Sequence, residues 1–135
     1  MADSGITGDY DELERLIGKF RGLSGRLRTV GVRRAAQAIQ RVAREQYASG
    51  RGPDGEKWTP NKDGTTPPLE RLTRQVKFRG DNGVITASGP DKLKYHQRGN
   101  WRLPARPPFP DKPGDLPEPW AEAADEMLRR TAEED

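Results

Sequence analysis

Apolar residues along this chain fall in short blocks, separated by stretches rich in proline, glycine and charge. Leu27, Val30, Ala35, Ala38, Ile39, Val42 and Tyr47 recur at helical spacing and predict the longest element, a helix over 24–48. Ser24 is placed to cap it, and Ser49-Gly50 to end it. Gly31 is a weak point inside it, at about 1 kcal/mol against alanine. Tyr10, Leu13, Leu16, Ile17 and Phe20 show the same spacing behind an Asp9–Glu12 capping box, which predicts a shorter helix over 9–21. Val76 and Phe78 alternate with polar residues and lead into a strand. A returning strand is expected over 84–88, and Asn82-Gly83 between them supplies the positive φ of a hairpin turn. A helical turn over 91–97 follows, closed by Gly99. Trp120, Ala123, Ala124, Met127 and Leu128 mark one face of a last helix starting at Asp115 or Pro117.

Two stretches have no period. Residues 49–68 carry Gly-Pro-Asp-Gly at 52–55, Trp58, Pro60, Asp63-Gly64 and Pro67-Pro68, and read as a long loop anchored by its tryptophan. Residues 98–116 hold Pro104, Pro107, Pro108 and Pro110, which fix φ and remove donors. This is an extended arm with Trp101, Leu103 and Phe109 as apolar pegs. The expected fold is therefore α+β: long N-terminal helices and a C-terminal helix packed on a small antiparallel sheet, with a long loop and a proline-rich arm. The expected organisation is a flexible tail over 1–8, one domain over 9–130 and an acidic tail over 131–135.

Composition adds a constraint. Hydrophobic residues are 31% and charged residues 33% of the 135, with a mean hydropathy of −1.02. That is a thin core for a domain of this size, and it favours burial against partner subunits. The absence of cysteine excludes disulfides and thiolate metal sites. No apolar run reaches membrane length and no secretory segment follows Met1, so a cytoplasmically made, soluble chain is expected. Net charge is +3, unevenly spread. Arg26, Arg28, Arg33, Arg34, Arg41 and Arg44 crowd the long helix, while 111–135 is acidic. The arginines could bind nucleic acid, form salt bridges between subunits, or make a solvated face. The acidic half favours a basic face of one copy meeting an acidic face of the next.

Catalytic chemistry finds little support. His96 is the single histidine, with no serine or cysteine nucleophile matched to it, and it is too little for zinc. Asp54 lacks the repeated acidic ligands of a calcium loop, and the glycines over 50–55 lack the Lys-Ser/Thr of a phosphate loop. No enzyme, cofactor or metal is expected.

The order of motifs carries a resemblance. Gly-Pro-Asp-Gly-Glu-Lys-Trp-Thr-Pro at 52–60 follows a long helix ending near a tyrosine. A hairpin comes next, then His96-Gln97-Arg98-Gly99, then Leu103-Pro104-Ala105-Arg106-Pro107-Pro108-Phe109 and a terminal helix. Over about 27–128 this resembles the virion morphogenesis, or tail completion, family of Mu-like and related tailed phages. The resemblance implies a non-enzymatic virion protein of the head–tail neck, forming a ring, usually six-fold, that completes the tail and joins it to the head connector. Its implied partners are further copies of itself, a tail tube or tail terminator protein and head connector or adaptor proteins. Genome DNA would pass through the lumen, with no membrane involved. The residues expected at interfaces are Trp58, His96, Arg98, Trp101, Arg102, Leu103, Arg106 and Phe109, with Arg33, Arg34 and Arg41 on the long helix. In that reading Trp101, Leu103 and Phe109 fill pockets on a neighbour, and Arg102 and Arg106 meet carboxylates. The rival from another class is a small basic nucleic-acid-binding protein acting through the arginine-rich second helix.

Overall fold

The computed structural model describes residues 12–23, 25–59, 63, 75–90, 93–99, 105–110 and 116–134. Its elements are strand β1 (Glu12–Lys19), helix α1 (Val32–Ala48), strands β2 (Lys77–Asp81) and β3 (Val84–Pro90), a short helix α2 (Leu93–Arg98) and helix α3 (Glu118–Glu133). A π-helical segment, Leu27–Gly31, leads into α1. The fold is α+β, with helices on a three-stranded antiparallel sheet in the order β1-β3-β2.

The hairpin forms where the alternation places it. Asn82 (φ 50°) and Gly83 (φ 81°) make the turn, and β2 pairs with β3 from Asp81↔Val84 to Lys77↔Ser88. Phe78, Ile85 and Ala87 are buried on one face of the sheet, and α1 covers that face with Val32, Ala36, Ile39, Ala43 and Tyr47. Crossing is close at one point. A Cβ on Gly80 would collide with the Val32 carbonyl, so the edge strand needs glycine there. Gln40 Oε1 accepts from Phe78 N at 2.8 Å and caps an edge donor of β2.

Helix α3 lies along another face of α1. Trp120, Ala124 and Thr131 are its buried residues, and a Cβ on Gly31 would stand 3.0 Å from Leu128 Cδ2. The glycine that weakens α1 on propensity is thus part of its contact with α3. Trp120 also meets Phe78 edge to face, with centroids 5.2 Å apart at 90°, so α1, α3 and the sheet share one core.

One expected element is different. The helix over 9–21 is instead strand β1, paired antiparallel with β3 from Glu12↔Pro90 to Lys19↔Val84. The register shifts between Leu16 and Gly18, which leaves Ile17 as an extra, bulged residue. That bulge places adjacent apolar residues in one strand, with Ile17 only 1% exposed. A bulged strand therefore imitates the three-and-four spacing of a helix, and pairing with β3 overrides local propensity. Tyr10, the Asp9 cap, Ser24 and residues 64–74 lie outside the described residues. The last helix starts where expected, with Pro117 as its N-cap. Among the described residues no helix is long and apolar enough to cross a membrane.

Candidate interaction site

The motifs that are far apart in sequence converge at the C-terminal end of α1. The helix stops at Ser49, whose N–H donates to the carbonyls of Glu45 and Gln46, and the chain turns through the Pro-Asp-Gly stretch. Asp54 Oδ1 accepts from Glu56 N at 3.0 Å and Arg51 Nη1 donates to Gly55 O at 2.8 Å, which closes the loop on itself. Trp58 returns to α1, stacked on Tyr47 with centroids 5.8 Å apart and planes 13° from parallel.

The proline segment 105–110 lies against this platform. Tyr47 OH donates to Pro108 O at 2.6 Å and Trp58 Nε1 to Pro107 O at 3.2 Å. Gln97 binds both backbone groups of Phe109: Nε2 donates to its carbonyl at 2.8 Å, and Oε1 accepts from its N–H at 3.0 Å. Arg106 donates through Nε to Thr59 O at 3.0 Å, and its N–H donates to His96 O at 2.7 Å. A proline-rich segment has few N–H groups of its own, so its carbonyls take donors from other elements: Tyr47 and Trp58 serve Pro108 and Pro107, and Gln97 serves Phe109. Gln46 extends the network inward, accepting from Trp120 Nε1 at 2.8 Å and donating to Pro53 O at 3.1 Å. Burial pushes the Tyr47 hydroxyl far above its ordinary pKa, so it stays a neutral donor.

Several expected interface residues are therefore occupied within the chain. Phe109 is 1% exposed and belongs to this chain's own core, as does Trp58 at 5%. The pocket Phe109 fills is its own, because the segment's carbonyls find their donors on α1, α2 and the Trp58 loop. Arg34 is also committed internally: its Nη1 meets Glu134 Oε2 at 2.6 Å, and Arg26 Nη2 meets Glu134 Oε1 at 2.9 Å. The bonds from Arg26, then Arg34, hold the Glu134 carboxyl below the usual range. His96 is half-buried, Arg98 is exposed, and Arg33 and Arg41 are exposed on α1. Trp101, Arg102 and Leu103 lie outside the described residues. Gln46 and Gln40 escaped the sequence reading, although a glutamine beside the apolar stripe of a helix is the signal that could have found them.

Between the loop and the proline segment is a cleft of about 400 Å³, walled by Pro53, Asp54, Lys57, Trp58, Pro107 and Phe109. Of its polar side chains, Asp54 bonds the Glu56 N–H and Trp58 the Pro107 carbonyl, and Glu56, Lys57 and Thr59 also line it. Among the described residues no group of three His, Cys, Asp or Glu could hold a metal. Compared with protein-family models, with curated proteins and with solved structures, the chain returns no match.

Proposed function

We propose that this chain is a structural protein of a tailed-phage virion neck, building a ring that completes the tail and joins it to the head connector. The carrying observation is the convergence of the ordered motifs. Pro-Asp-Gly, Trp58, Gln97 and Pro107-Pro108-Phe109 meet at one end of α1 as a backbone-bonded clasp. A clasp of this kind fixes loop shape, which suits a docking part. The clasp holds residues 105–110 on the chain's own body, and Trp101, Arg102 and Leu103 would be the part offered to neighbouring virion proteins. Joining in vitro tests the reading. Heads and tails made without this chain should unite only when the purified chain is added, and union at the same rate without it contradicts the proposal.

A further inference from the structure

Helix α1 has three faces. Val32, Ala36, Ile39 and Ala43 face the sheet, and Arg34 and Gln46, with Gly31 just before the helix, meet α3. The third face is solvent: Arg33, Gln37, Arg41, Arg44 and Ala48 are all exposed. At 3.6 residues per turn this stripe lies about a third of a turn from each of the other two faces. Helix α3 has a comparable stripe. Glu118, Glu122, Asp125, Arg129 and Glu133 are exposed, about half a turn from Trp120, Ala124 and Thr131. The acidic stripe thus points away from α1, and the basic stripe points away from α3. They cannot meet within one chain. Among the described residues, Arg33, Arg41, Arg44, Glu122, Asp125 and Glu133 make no ion pair. By contrast, Arg26, Arg34 and Arg130 all find carboxylates inside the chain.

The two stripes match in spacing. Arg33, Arg41 and Arg44 are separated by eight and then three residues; Glu133, Asp125 and Glu122, read backwards, are separated by the same intervals. Laid antiparallel, Arg33 faces Glu133, Arg41 faces Asp125 and Arg44 faces Glu122. The same register sets Gln37 opposite Arg129 and Ala48 opposite Glu118, so no like charges oppose. Laid parallel, no register of the two stripes sets all three arginines opposite acids. Charge pattern therefore selects one direction and one register.

We infer that the exposed face of α1 in one copy docks antiparallel on the exposed face of α3 in a second copy. Each copy carries one stripe of each sign, so the contact is heterologous and propagates head to tail. Glu45, the acid beside the basic stripe, falls opposite Ala121 in this register and opposes nothing. The inference rests on the proposed function only in that copies associate; its chemistry stands on the two stripes and not on a neck location.

Sedimentation of the purified chain in low salt tests this without heads or tails. The native chain is expected to form oligomers that dissociate as salt rises. Arg41→Glu or Asp125→Arg alone should weaken association about ten-fold, and both in one chain should restore it. A chain with Arg33, Arg41 and Arg44 all changed to Glu should be monomeric, as should one with Glu122, Asp125 and Glu133 all changed to Arg. Their mixture should assemble. The exposed positions leave thermal unfolding near native, which checks the fold of each variant. Native chain that stays monomeric at high concentration, swaps that associate as native, or a mixture that fails to assemble would each overturn the inference. Salt-sensitive binding of duplex DNA that needs Arg41, without self-association, would also overturn it and assign the stripe to phosphate.

Discussion

At the residue scale, Tyr47 and Glu134 set opposite ends of the pH response. Tyr47 is fully buried with its hydroxyl on the Pro108 carbonyl. The folded chain holds the neutral phenol, while an unfolded tyrosine ionises near pH 10. Its folded pKa is raised, so its stabilisation is complete below about pH 10 and is lost as alkali ionises the unfolded state. Tyr47→Phe should remove that alkaline loss. At neutral pH it should lower stability by about 1–3 kcal/mol, because the Pro108 carbonyl is left without its donor. Urea midpoints equal to native at neutral pH would count against the bond. Glu134 works in the other direction. Its folded pKa is lowered by Arg26 and Arg34, so its contribution is present above the ordinary carboxylate range and fades as acid protonates it through that lowered value. Glu134→Gln should flatten the acid limb of a urea-midpoint titration, and an unchanged limb would deny the pair a role in holding α3 to the start of α1.

Elements show what the sequence could disclose and where it misled. The long helix, the Asn82-Gly83 hairpin and the helix after Pro117 were legible because each has a strong local signal: an apolar stripe, a positive-φ pair, a proline start. Strand β1 was not, because its bulge at Ile17 breaks the alternation that marks a strand. Pairing with a partner some seventy residues later is a long-range fact that no local window holds. The seat of the proline segment was not legible, since Tyr47, Trp58 and Gln97 reach it from separate elements. Phe109→Ala should therefore destabilise the isolated chain by about 3–5 kcal/mol, as a core truncation does. Calorimetry showing no loss would return Phe109 to the role of a free peg. Gly80→Ala tests the crossing of β2 and α1. Its Cβ would meet the backbone of Val32, which cannot rotate aside, so a loss of about 3 kcal/mol is expected in urea unfolding.

The whole molecule is a small core with differing outer faces. Trp120, Tyr47 and Phe109 close the interior, while the charge that remains unpaired among the described residues includes two stripes of opposite sign on α1 and α3. Three large aromatic residues and the bonds around them fill the interior, and the charged stripes are the surfaces proposed for contacts between copies. The proposed neck role calls for a subunit with surfaces able to repeat. Imaging particles that carry a label fused to this chain tests that assignment most directly. Density from the label should encircle the junction between head and tail on every joined particle; label on the capsid faces, along the tail or at its tip, or absent from finished particles, would contradict it.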